Sequence, residues 1–334
     1  MNLLNKLNNR PTLTFFLMIK MNIYCSNCGY LNRDNEKYCT SCNEILHNFN
    51  KLNINQTITT TEELFSNEVI TQLNNCILTI DSYEMIIENI IETGSNHIIY
   101  KKNMTPLERI KALAEAYSIV ISKDDGRSYG EYAYNVICID ENFDSAIQIA
   151  TLLHELTHHL FNEIIKQIVM YTLEIKKTPL IDGLIQVIST LPTILLISEY
   201  CASSTEKRYL PEEYVSYSSF NHICEDLKYN KQILIRTLII GKGINDSIER
   251  ILTTFIDEKL KEDIKKEFVK NNTKPIANPI CINDDGIDNS ILRNVYLMNV
   301  IYENFCYLNT DENKKTVEKN ANLFKKSYQK GAYS

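Results

Sequence analysis

The chain has 334 residues, 44% of them hydrophobic, with 35 Lys and Arg against 42 Asp and Glu and a net charge of -7. That apolar content at this length supplies at least one sizeable core and predicts about two domains, and an acidic balance without any long Lys/Arg cluster argues against a bulk surface built for nucleic acid. The 10 cysteines do not form a secreted disulfide pattern, because four sit in two tight pairs and the others are scattered singly through apolar stretches, the usage of a reducing, cytoplasmic compartment.

Residues 1–20 read as an extension. Lys6 and Arg10 precede "LTFFLMI", a run too short to span a bilayer and followed by no small-residue cleavage site. Residues 21–46 hold Cys25, Cys28, Cys39 and Cys42 as two CxxC pairs ten residues apart. Four thiolates at this spacing suit a tetrahedral structural zinc, and Gly29 and Asn43, one after each pair, tolerate the positive φ that such a knuckle needs. So small a segment has too little core to fold alone, and the metal supplies most of its stability. The stretch "CSNCGYLNRDNEKYCTSC" resembles the zinc ribbons at the N-termini of many bacterial proteins. Such ribbons serve nucleic acid or protein; Asp34 and Glu36 balance Arg33 and Lys37, so a protein contact or a purely structural role is expected.

A polar, Asn- and Thr-rich linker, 47–62, leads to a mainly α (α+β) domain, 63–310, with a helix cap expected near Thr61. "DSYEMIIENIIE" has helical period, and "TPLE" at 105–108 is a capping box opening the next helix. "YSIVIS" and "EYAYNVICID", separated by "KDDGRSYG", read as a β-hairpin turning at the Asp-Gly pair. Asp144 or Ser145 then caps a long helix that stops around Lys177. "PLIDGLIQVISTLPTILLISEYCAS" is the most apolar region, but Asp182, Gln186 and Pro192 interrupt it, which predicts a buried helical hairpin over a membrane span. Residues 225–308 look helical, with breaks at Gly241 and Gly243 and at "NNTKPIANP", and 311–334 read as a polar tail that frays.

The long helix carries "HELTH", with His154 and His158 four apart on one edge and Glu155 between them: HExxH, the spacing at which two imidazoles share a zinc and the glutamate serves as general base. Burying two imidazoles and a carboxylate costs stability unless they are paired, and zinc pairs all of them. A catalytic zinc needs a third protein ligand and an open position. Ile164 excludes an HxxGxxH continuation, so a carboxylate from a later helix is expected. Glu199, with Ala202 and Ser203 permitting close helix approach, is the candidate, and Glu206 is its rival. For an oxyanion donor the candidates are Tyr209, Tyr214, Tyr217 and His222. His159 turns away from the pair.

"HELTH" and "EYCA", with the preceding strand "YNVICID", resemble the ImmA/IrrE-like zinc metallopeptidases, over about residues 100–210. Thr157 stands where Gly is usual there, Ser203 where Asn often follows, and the interval from His158 to Glu199 is longer. The resemblance implies a zincin-like fold and regulated cleavage of a specific protein, a transcriptional regulator being the kind it suggests. The expectation is therefore a cytoplasmic zinc metalloprotease of gluzincin type with two zinc ions per chain. His154, His158 and Glu199 hold the catalytic ion and Cys25, Cys28, Cys39 and Cys42 the structural one. Glu155 draws the proton from a water at the zinc, and the preceding strand aligns a protein or peptide substrate. The rivals are a non-catalytic zinc-binding scaffold and a membrane-embedded protease.

Overall fold

Asp144 marks the change from sheet to helix: its Oδ1 accepts the free backbone N–H groups of Ala146 (2.9 Å) and Ile147 (3.0 Å), as an N-cap should. The helix that follows, Ser145–Leu173, carries the HExxH motif and is the axis of the domain. It ends four residues before the expected Lys177, because Glu174 takes a left-handed conformation (φ 53°) and its N–H closes onto Met170 and Tyr171.

This computed structural model describes residues 22–24, 31–33, 57–124, 126, 128–226, 230–276, 279 and 290–329. The four cysteines of the expected ribbon lie outside the described residues; around the first pair, β1 (Asn22–Tyr24) and β2 (Leu31–Arg33) run antiparallel. From Thr61 the elements are α1 (Thr61–Leu64), α2 (Asn67–Asn75), α3 (Ile80–His97) and α4 (Pro106–Tyr117). Then come β3 (Ile119–Lys123), β4 (Gly130–Ala133), β5 (Val136–Asp140) and the HExxH helix α5. Helices α6 (Pro179–Ser189), α7 (Pro192–Tyr209), α8 (Ser218–Asp226) and α9 (Lys231–Thr253) follow. The last are α10 (Glu258–Lys270), α11 (Ser290–Leu308) and α12 (Asp311–Gln329). The described residues are mainly helical, 72% helix beside a small three-stranded sheet. Both expected caps are present: Thr105 and Glu108 close a capping box at α4, and Thr60 and Glu63 close one at α1.

The sheet differs from the expected hairpin. Its order is β3-β5-β4, with β3 parallel to β5 and β4 antiparallel to it. The tight turn falls at Tyr134 (φ 54°) and Asn135 (φ 60°), a pair of left-handed residues as in a type I′ hairpin, and the Asp-Gly stretch is the longer passage from β3 to β4. β5, in the middle, has both edges occupied, so the strand before the helix cannot receive a further strand; β4 lies at the outside.

Two further differences have packing causes. Gly241 and Gly243 lie inside the continuous helix α9, because a Cβ at Gly241 would fall 2.5 Å from the Tyr200 ring and one at Gly243 2.3 Å from the Arg293 side chain. These glycines admit close neighbours. The polar segment expected to fray is helix through Gln329: Val317, Ala321 and Phe324 make a narrow apolar stripe that packs α12 onto α6. Covered by α5 on one side and α12 on the other, α6 is buried almost all round, and it meets α7 at a bend of 83°, a corner where a hairpin was expected.

α5 is packed by α2, α3, α4, α6, α7, α10 and the sheet, and Leu152, Leu156, Leu160, Ile164 and Ile168 have no exposure. Of the scattered cysteines, Cys138, Cys201 and Cys224 are buried and Cys76 is partly so, but Cys306 is exposed.

Candidate metal centre

One turn apart on α5, the two imidazoles bring their Nε2 atoms to 3.1 Å of each other. α7 crosses α5 at this point and delivers Glu199, whose Oε1 lies 3.5 Å from His158 Nε2 and whose Oε2 lies 3.8 Å from His154 Nε2. One ligand atom from each of the three residues lies within 4.8 Å of the others. Ligands on one tetrahedral zinc at about 2.0–2.1 Å stand roughly 3.3–3.4 Å apart, so this triangle fits the ion with small adjustments. Glu199 Oε2 supplies an independent test: it is buried and has no hydrogen-bond partner. A carboxylate oxygen left orphaned among imidazole nitrogens is costly without a cation.

The outer nitrogens are held. His154 Nδ1 lies 2.9 Å from Glu206 Oε1 and His158 Nδ1 lies 2.7 Å from Ser198 Oγ. In the tautomer that makes each Nδ1–H a donor, both Nε2 lone pairs turn inward to the Glu199 carboxylate. Glu206, the rival ligand, is thus a positioning residue behind His154: two helical turns beyond Glu199 on the same face of α7, it reaches the far side of the ring. Glu206→Gln is expected to weaken zinc binding at this site 10- to 100-fold, roughly the cost of removing such a partner, as read by competition with a fluorescent chelator.

Burial disfavours a charged His154, but Glu206 outweighs it, and with help from Glu155 and Glu199 raises the imidazole to about 9. Burial, with His154 beside it, holds His158 well below the usual histidine range. The metal-free pair therefore suits a proton shared between the two Nε2 atoms, which zinc displaces.

Glu155 occupies a different face. Thr151, Glu155 and His159 follow at intervals of four and share one edge of α5. A Cβ on Gly130 would fall 2.3 Å from Thr151 Cγ2, and the Tyr132 hydroxyl lies 3.3 Å from His159 Nδ1 with the rings edge to face. β4 therefore runs along the edge that carries Glu155, between Gly130 and Tyr132. Burial pushes the Glu155 carboxyl up to about 7; Glu199, Glu206 and Glu131 act in the same direction and His154 opposes them. His159 is buried against Tyr132, where burial lowers its imidazole to about 4, and it lies outside the converging triangle of His154, His158 and Glu199.

The oxyanion candidates are engaged elsewhere or not aimed at the pair by any hydrogen bond. The Tyr214 hydroxyl donates to the Thr273 carbonyl, and Tyr217 pairs with Ser204 at 3.1 Å. His222 is exposed beside Asp226, and the buried Tyr209 hydroxyl has no partner. One participant was not foreseen: no sequence signal marks Ser198. Glu206 was expected as a rival ligand, and the seven-residue interval from Glu199 indicated their shared face.

Comparison with known proteins finds no matching family model, no matching curated protein and no matching solved structure.

Proposed function

We propose that the protein is a zinc-dependent peptidase whose ion is held by His154, His158 and Glu199. The observation that carries the reading is the convergence of two inward-facing Nε2 atoms on the Glu199 carboxylate, whose Oε2 is buried without a hydrogen-bond partner, with the Glu155 carboxylate on the neighbouring edge of the same helix. Zinc there would supply a Lewis acid for the scissile carbonyl and acidify a water. Glu155 would act as the base that takes a proton from the attacking water and returns it to the departing amine; its raised proton affinity suits a group that must both accept and release near neutral pH. Glu206 and Ser198 hold the imidazoles in the ligating tautomer. β4, the outer strand beside Glu155, is placed to align an extended peptide by strand addition.

The zinc ribbon at Cys25, Cys28, Cys39 and Cys42 with its second ion, a cytoplasmic site of action and a regulatory protein as substrate belong to the same proposal. They are supported by the cysteine spacing and by the ImmA/IrrE-like motifs "HELTH" and "EYCA". Among the described residues no single helix is long and apolar enough to cross a membrane; the bent pair α6 and α7 passes by length and composition, and its apolar residues are mostly buried. The test is cleavage of an unfolded protein by the purified chain. Cleavage should be lost on chelation and return with zinc; activity indifferent to chelation would refute the reading, and no cleavage by zinc-loaded protein would favour the scaffold.

A further inference from the structure

The end of β4 is plugged. Asp140 N–H donates to the Tyr129 carbonyl at 3.0 Å, which fixes the phase of the antiparallel ladder: Tyr129, Glu131 and Ala133 bond towards β5, and the backbone groups of Gly130, Tyr132 and Tyr134 turn outward. At Tyr134 the outward N–H is already used, donating to Gln186 Oε1 of α6 at 2.9 Å. The Tyr134 hydroxyl donates to Asn320 Oδ1 of α12 at 2.8 Å, and its ring packs on Phe324 with centroids 5.4 Å apart. α6 and α12 thus form a wall across the line that an added strand would follow. The other end differs: Tyr129 is 60% exposed.

We propose, resting on the peptidase reading, that this wall limits the substrate to a short flank on the α6 side, so that the enzyme trims near the amino end of a peptide. Glu155 faces the strand between Gly130 and Tyr132, leaving two to four residues of β4 before Tyr134, or roughly 7–13 Å at about 3.3 Å per residue. An extended chain fits only about two to four residues there. Antiparallel pairing, the slightly more stable ladder, sets the peptide's amino end towards Tyr134 and the wall. The carboxyl-side residues leave past Gly130 and the exposed Tyr129. The long α6 interval and the α12 helix would then serve specificity: together they build the wall.

The test uses the full zinc-loaded chain and degenerate peptide libraries of graded length, with products read by mass spectrometry. Released amino-terminal fragments of about two to four residues are expected, with rates falling at least about tenfold for longer amino flanks. Gln186→Ala, which removes the plug on the Tyr134 N–H, should raise the ratio of long-flank to short-flank cleavage; Asn320→Ala, acting from α12, should move that ratio the same way. A merely structural weakening would lower both rates and leave the ratio alone. Interior cleavage with long flanks on both sides, short fragments from the carboxyl end, or an unmoved ratio in both variants would overturn the proposal while leaving the peptidase reading intact. No cleavage of any peptide by zinc-loaded protein would overturn both.

Discussion

Glu155→Gln is expected to remove peptide cleavage while zinc stays bound. The substitution keeps the shape of the side chain and deletes its capacity to take a proton. Glu155 is not among the three converging ligands, so the triangle of His154, His158 and Glu199 is untouched. Positioned acid–base groups contribute about 10²–10⁴-fold, and the loss in kcat/KM should fall in that range. Zinc content equal to the parent's, measured on the same preparation, distinguishes lost chemistry from lost metal. An unchanged rate would leave the proposed mechanism without its base.

The second large effect concerns stability. Lys166, 3% exposed on α5, sets its ammonium 2.5 Å from Glu163 Oε2 and 3.2 Å from Asp182 Oδ1 on α6. Removing the ammonium leaves two carboxylates facing each other in the core, and Lys166→Met should cost about 3–5 kcal/mol, the usual penalty for breaking a buried pair. At roughly 2–4 °C per kcal/mol for a domain of this class, thermal unfolding should move down by about 10 °C. The pH dependence has a definite sign. Burial alone would raise the Glu163 carboxyl, but Lys166 brings it from 4.5 down to about 2. The stability from that depressed carboxyl is fully present above about pH 4.5 and is lost as pH falls through about 2. In the variant Glu163 loses the ammonium that depresses it and can protonate at higher pH, so the gap between parent and variant should narrow between those values. A gap constant down to pH 3 would mean that the ammonium contributes no electrostatic stability.

Local signals read correctly from sequence. The Thr105–Glu108 box and Asp144 cap the helices they precede, since capping depends on groups within three residues. The HExxH pair needed only helical period, and Glu199 followed from the requirement for a third ligand. What sequence missed was non-local or ambiguous. Pairing β3 with β5, not with β4, is a choice between strands of equal quality that only the packed helices decide. The turn at Tyr134 and Asn135 lacks glycine, while an Asp-Gly pair nearby offered a stronger but misleading signal. Gly241 and Gly243 read as breakers because a helical glycine looks alike whether it ends a helix or admits a neighbour; Tyr200 and Arg293 show which. The α12 stripe of Val317, Ala321 and Phe324 had helical spacing and was hidden by the charges around it. Glu206 was seen, but in the wrong role, since sequence gives the face of a helix and not the side of the imidazole that a carboxylate meets.

The most direct test of the metal centre is zinc per chain, by mass spectrometry of the metal in purified protein, for the parent and for Glu199→Ala and His154→Ala. The account predicts two ions in the parent, one in the cysteine set and one in the His–Glu triangle, and a single ion in each variant. Parent-level zinc in Glu199→Ala, with both variants folded, would contradict it.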